Sequence, residues 1–145
     1  MNMKKVLIPA LSVAALVLGG CAMKCDYAKF HEKAVAAAQK EVKLTKGTIK
    51  YTSKSSTKET SAEYHITWNA GNKYWSLDEG SILDSLFITA TINARADSVG
   101  ESEDYTYYAG ATFKVETKDA TYKYQGNGFI TSYVAEGTKM TVSYK

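Results

Sequence analysis

The sequence predicts an α+β domain: a curved antiparallel sheet of about seven or eight strands, with an N-terminal helix and a central helix on one face. Three observations carry this. The last third of the chain alternates apolar and polar residues through three successive two-residue turns. Two earlier stretches repeat apolar residues at helical rather than strand spacing. Between them lies a further hairpin pattern, with an Asn-Gly-type turn signal between two short aromatic runs.

The first element is a targeting segment rather than part of the fold. Lys4 and Lys5 form a charged start, and Val6 to Leu18 is an apolar run shorter than the ~20 residues a transmembrane helix needs. It ends in Leu18-Gly19-Gly20-Cys21. Here the chain resembles the bacterial prolipoproteins, whose lipobox is a Leu, two small residues and a Cys directly after a secretory apolar run. The resemblance implies cleavage between Gly20 and Cys21, a diacylglycerol on the Cys21 sulfur, palmitate among the acyl chains, and a location on the exported side of a bacterial cell membrane or outer membrane. Ala22 is not the Asp that in some Gram-negative bacteria retains lipoproteins at the inner membrane, and the choice of membrane stays open. The chain then divides into a signal peptide over 1–20, a lipidated tether over 21–26 and one α+β domain over 27–145. With Cys21 acylated, Cys25 has no partner for an internal disulfide. It is left as a second acylation site, an intermolecular bridge or a free thiol without a role.

Composition narrows the function classes. The 18 basic residues include Lys4 and Lys5 of the targeting segment, which leaves 16 against 15 acidic residues. A pI near 8.7 is therefore no argument for nucleic acid. The charge is uneven along the chain, with nine Lys and three acidic residues over 24–58, and twelve acidic and five basic residues over 59–136. Beside a lipid anchor the Lys-rich stretch can hold an anionic membrane surface, and the alternative is a solvated linker and helix face. All eleven Tyr lie in the mature region, as a β-rich domain would have them.

Asp26 is the N-cap of a helix over Tyr27 to Leu44, with Phe30, Ala34, Ala37, Ala38 and Val42 on one face and Gly47 as its stop. A short strand follows over Thr48 to Thr52, then a flexible polar loop over Ser53 to Ser61. Ala62 to Trp68 alternates, with Tyr64, Ile66 and Trp68 on one side. A turn at Gly71-Asn72 sets Trp68 opposite Trp75, Ile66 opposite Leu77, and His65 near Asp78. Capping boxes at Ser76-x-x-Glu79 or Ser81-x-x-Asp84 open the central helix, which runs to about Ala94 with Leu83, Leu86, Phe87, Ala90 and Ala94 as its buried stripe. Asp97 to Asp104 is an acidic loop, and Tyr105 to Tyr108 resumes the sheet before a bulge at Gly110.

The final meander turns at Lys118-Asp119, Asn127-Gly128 and Glu136-Gly137. Counting back from those turns puts Val115 opposite Tyr122, Phe113 opposite Tyr124, Tyr122 opposite Tyr133, Tyr133 opposite Met140 and Phe129 opposite Tyr144. One face then carries all of these, with Val142, and the other carries Lys114, Glu116, Lys123, Gln125, Ser132, Lys139 and Ser143. A slip of one residue in any turn would scramble that division. Ile130 and Val134 are the exceptions, on the polar side.

Chemistry is sparse. His65, Asp78, Thr67 and Ser76 are neighbours in the hairpin register, but a positioned nucleophile and oxyanion donors are missing. No phosphate loop, His-x-x-x-His pair or Cys-x-x-Cys motif occurs. The acidic loop does not have EF-hand spacing. No catalytic residue, cofactor or metal site is predicted. The expected function is that of a lipid-anchored, non-enzymatic structural or protein-interaction domain. The alternative is a carrier of an apolar ligand or lipid, since the order of elements is loosely similar to the half-open barrels of envelope lipid-carrier proteins, which wrap a curved sheet and a helical lid around acyl chains. Glycan binding through Trp68, Trp75 or Tyr74 would need one of them exposed. The expected partners are thus the membrane, through Cys21, and an envelope protein or lipid; nucleic acid is not among them.

Overall fold

The computed structural model describes residues 22–40, 42–78 and 82–145, the side chains of Ile82 and Leu83 excepted. The expected signal peptide, Cys21, and Glu79 and Ser81 of the two expected capping boxes lie outside the described residues. The described chain is one open antiparallel sheet with two helices. In chain order the elements are β1 (Ala22–Cys25), α1 (Tyr27–Ala38), β2 (Lys46–Lys54), β3 (Glu59–Asn69), β4 (Tyr74–Leu77), α2 (Ile82–Ile92), a 3-10 turn (Ala96–Ser98), β5 (Thr106–Gly110), β6 (Phe113–Glu116), β7 (Ala120–Tyr124), β8 (Ile130–Ala135) and β9 (Thr138–Tyr144). Across the sheet the order is β1-β5-β6-β7-β8-β9-β2-β3-β4.

The ninth strand comes from a segment that the sequence reads as a tether. Ala22 to Cys25 pairs with β5, Ala22 opposite Gly110 and Cys25 opposite Tyr107, and so forms an edge of the sheet. The meander has the predicted pairs: Val115 faces Tyr122, Phe113 faces Tyr124, Tyr122 faces Tyr133 and Tyr133 faces Met140. The middle turn differs. Gln125 N–H donates to the Phe129 carbonyl, and Gly126-Asn127-Gly128 is a three-residue loop in which Gly128 takes φ +89°. The register then slips by one, so that Tyr124 faces Ile130. This bulge turns Ile130 into the core, where it is fully buried beside Phe129, and it removes one of the two exceptions to the division of faces. Val134 stays on the polar face, 41% exposed.

The front half departs further from expectation. The Asp26 side chain caps α1 by accepting from Lys29 N–H at 2.8 Å, as predicted. The helix ends at Ala38, six residues early. Phe30, Ala34 and Ala37 are its buried positions, and Val42, expected on the same helical face, lies beyond its end. Gly47 therefore lies within β2, where it is required for another reason. A Cβ there would come within 2.8 Å of Ile66 Cδ1 and 2.9 Å of the Ser143 carbonyl. The predicted flexible loop is instead an extension of the β2–β3 hairpin, paired out to Lys54–Glu59 and closed by Ser55, whose hydroxyl both donates to the Lys58 carbonyl and accepts from Lys58 N–H. Its Ser and Thr residues hydrogen-bond across the strands, as Thr52 and Ser61 do at 3.2 Å.

Both helices pack on the apolar face. Phe30 of α1 meets Tyr107 and Phe113 at ring distances of 5.2 and 5.8 Å. Trp68 and Trp75, from β3 and β4, meet Phe129 at 5.1 and 5.8 Å. On a flat sheet, with strands ~4.8 Å apart, β4 and β8 would stand roughly 19 Å from each other. The contact of Trp75 with Phe129, the residue that leads into β8, shows that this end of the sheet curls over its own core. Asn93, just past α2, pins the open edge. Its Oδ1 accepts from Trp75 N–H at 2.6 Å, and its Nδ2 donates to the Trp75 carbonyl at 2.9 Å.

Candidate functional site

The register places one level row of side chains across the helix-covered face: Tyr107, Val115, Tyr122, Tyr133, Met140 and Tyr51, from β5 through β2. Tyr107, Val115 and Met140 are buried, while Tyr122, Tyr133 and Tyr51 are half-buried. The α1 helix covers the β5 end of the row, and α2 crosses its other end. Between the 94–105 segment and the sheet lies a small cavity of 220 Å³, with Tyr122, Tyr124 and Val115 as floor and Ala94, Val99 and Tyr105 as walls. Burial raises the pKa of Tyr122 and, more strongly, Tyr124, so both face the cavity as neutral phenols.

Across the row α2 presents a face other than the one the sequence suggests. Ile88 and Ile92 are fully buried and Thr91 nearly so, its hydroxyl donating to the Phe87 carbonyl at 2.8 Å. Leu86 is 66% exposed and Phe87 40% exposed. Leu86 and Ala90 of the predicted stripe thus lie on the outer side, and Phe87 sits at its margin, half turned to the sheet. The sequence of α2, Ile-Leu-Asp-Ser-Leu-Phe-Ile-Thr-Ala-Thr-Ile, is apolar nearly all round, and its periodicity cannot choose a face. Phe87 is not isolated: its ring stands edge-on to Tyr51 at 6.0 Å and to Tyr133 at 5.9 Å, and Tyr133 meets Tyr122 at 5.0 Å. Leu86 and this aromatic row form an apolar ridge at the surface. The signal that could have found it is the single charge, Asp84, in eleven helical residues.

The other sequence-predicted positions are scattered. Cys21 lies outside the described residues. Cys25 is a free, half-buried thiol on the helix-covered face of β1; burial, and then the Asp26 carboxylate, raise its pKa, which lowers its reactivity. Asp78 N–H donates to the His65 carbonyl and its carboxylate accepts from the Thr67 hydroxyl at 3.0 Å; the His65 side chain is exposed on that same outer face, where His65, Thr67 and Asp78 line one shallow pocket. The Ser76 hydroxyl donates to the Thr67 carbonyl. Trp75 is sealed in the core and Trp68 is half-buried, which leaves Tyr74 as the exposed member of the glycan-binding trio. The acidic loop is organised by Tyr107, whose hydroxyl accepts from Ser102 N–H and donates to the Gly100 carbonyl, both at 2.9 Å. Its Glu101, Glu103 and Asp104 point outward. Among the described residues no group of three or more His, Cys, Asp or Glu side chains converges on a point where a metal could bind, and no helix is long and apolar enough to cross a membrane.

No family model, curated protein or solved structure matches this chain. Function has to be argued from the residues themselves.

Proposed function

We propose that the chain is a lipid-anchored envelope lipoprotein, held on the exported side of a bacterial cell membrane or outer membrane by an acylated Cys21, and that its domain is a non-enzymatic protein-interaction module. The anchor rests on Leu18-Gly19-Gly20-Cys21 after a secretory apolar run. The observation that supports the interaction reading is the outer face of α2. An exposed Leu86 and Phe87, backed by Tyr51 and Tyr133, form an aromatic and aliphatic ridge of the kind that anchors protein contacts.

A second reading is a carrier for an apolar ligand, and the tyrosine-floored cavity beneath the 94–105 segment favours it. At 220 Å³ that cavity falls below the ~300–1,000 Å³ of ordinary ligand pockets, which is why the partner reading stands first. A photo-crosslinking residue at position 86 in intact cells separates the two. A discrete protein adduct that disappears on Phe87→Asp supports the interaction reading, and position 139, on the opposite face, serves as the control. No adduct, together with a discrete lipid mass retained by the purified protein in native mass spectrometry, supports the carrier. Fractionation of a Cys21→Ser variant tests the anchor: release from the membrane is expected, and full retention refutes it.

A further inference from the structure

We propose that one end of the sheet is a basic docking surface for anionic phospholipid headgroups, and that it seats the domain directly on the membrane to which it is anchored. The proposal rests on the reading of Cys21 as the lipid anchor. Strand β1 begins at Ala22, opposite Gly110, so the anchoring residue adjoins the sheet with no spacer. Following the antiparallel strands from there shows what shares that end: the 126–128 loop, the C-terminal Lys145 beyond β9, the start of β2 at Lys46, the 70–73 turn, and the connection from α1 to β2. Lys145 and Lys46 are joined directly, Lys145 N–H donating to the Lys46 carbonyl at 2.9 Å.

This end collects Lys40, Lys43, Lys46, Lys73 and Lys145, all exposed, together with Arg95. Among the described residues none of the five lysines is in an ion pair. Among the described residues the carboxylates nearby are Asp97, 3.6 Å from Arg95, and Asp78, which accepts from Thr67; Glu41 and Glu79 lie outside the described residues. The opposite end of the sheet carries Glu101, Glu103, Asp104, Asp119 and Glu136 around Lys54, Lys58 and Lys118. The charge is therefore polarised along the strands, and the positive pole is where the anchor emerges. An open groove of 640 Å³ at the basic end is floored by Val42 and Trp68 and flanked by Lys40, Lys73 and the Arg95–Asp97 pair. An apolar floor under cationic walls suits a phospholipid headgroup and its glycerol, and a half-buried Trp at membrane level matches the interfacial preference of that side chain. A membrane is favoured over a soluble polyanion because the chain's own proposed anchor delivers this end, and no other, to a lipid surface.

The test uses the full chain, expressed with its leader so that it is exported and processed. It is then reconstituted in vesicles of phosphatidylcholine alone or of phosphatidylcholine with phosphatidylglycerol. Amine acetylation read residue by residue should show Lys40, Lys46, Lys73 and Lys145 protected severalfold in the anionic vesicles. Lys54, Lys58 and Lys118 should react equally in both, and high salt should erase the difference. For the unacylated Cys21→Ser chain, each of Lys40→Glu and Lys73→Glu should lower partition into anionic vesicles at least about fivefold, the change expected from one lost surface charge; both sites are exposed, so the fold is retained. Equal labelling of all these lysines in both vesicle types overturns the docking surface. The intact mass of the mature chain reads the acyl group separately. An acylated protein without lysine protection would keep the anchor and refute the docking, and an unacylated one whose lysines are still protected would do the reverse.

Discussion

The orientation of α2 decides which residues are core and which are available to a partner, and two truncations on that one helix test it. Ile88 is fully buried against the sheet, whereas Leu86, two residues earlier, keeps 66% of its surface in water. Ile88→Ala removes buried methyl and methylene groups from a packed site and should cost ~2–5 kcal/mol. Leu86→Ala forfeits only about a third of a full Leu burial, itself roughly 1.5–3 kcal/mol, and regains a few tenths because Ala is the better helix former; the net loss is below ~1 kcal/mol. Urea unfolding, with slopes of about 1–3 kcal/mol/M for domains of this size, resolves the difference. With a slope near ~1.5 kcal/mol/M, Ile88→Ala shifts the midpoint by more than about 1 M, and Leu86→Ala by less than about 0.7 M. Equal losses, or a larger loss for Leu86→Ala, would mean that α2 is turned about its axis, with the stripe of Leu83, Leu86, Phe87, Ala90 and Ala94 facing the sheet, and the apolar ridge would not exist.

Three further outcomes follow from the same structure. Gly47→Ala puts a Cβ against the Ile66 side chain and the Ser143 carbonyl, and because the latter is backbone and cannot swing away, a loss of ~1–3 kcal/mol in chemical denaturation is expected; an unchanged midpoint would mean that β9 and β3 are not packed this closely over β2. Tyr122, Tyr124 and Tyr144 have pKa values raised mainly by burial, so the folded state holds their protons more tightly than the unfolded state. Their contribution is intact below the unfolded value of ~10 and is lost as pH rises beyond it; thermal stability should fall above that pH, the buried tyrosines ionising only as the protein unfolds, and a flat profile would refute their burial. The Cys25 thiol, with its pKa raised by burial and by Asp26, should alkylate more slowly at neutral pH than a small free thiol, and labelling at the free-thiol rate would argue against β1 as a paired strand.

What was legible in the sequence depended on how much redundancy each stretch carried. The meander could be read because a period of two, checked by three turns, leaves little room for error: a wrong register would have exposed Phe113 and Val115 together. The bulge was hidden, since a three-residue Gly-Asn-Gly loop and a two-residue Asn-Gly turn call for the same residues; its trace was the misplaced Ile130, whose burial required the slip. The 22–25 edge strand was missed because four residues, Ala-Met-Lys-Cys, are too few to show a period. The length of α1 was overestimated because Lys40, Val42 and Lys43 continue a tolerable helical pattern with nothing left to cover. The α2 face was unreadable for the opposite reason, an excess of apolar residues on every side.

The candidate sites sort by the same logic. The ridge on α2 consists of sequence neighbours, but recognising it requires knowing which side of the helix the sheet occupies. The basic end is harder still. Lys40, Lys46, Lys73 and Lys145 come from a connection, two strand ends and a turn spread over more than a hundred residues, and only the antiparallel course of the strands brings them level with Ala22. In sequence, Lys145 lies far from Ala22, and Lys73 lies in the acidic stretch. Counted along the chain, residues 24–58 are basic and residues 59–136 acidic; folding redistributes the charge. Lys54 and Lys58, from the basic stretch, go to the distal end with Glu101 and Glu136, while Lys73 and Lys145 join Lys40 and Lys46 at the end where β1 begins. The charge polarity of this domain is thus a property of its topology, and reversing the charge of Lys145 should weaken membrane seating as much as reversing that of Lys40, although 105 residues separate them in sequence.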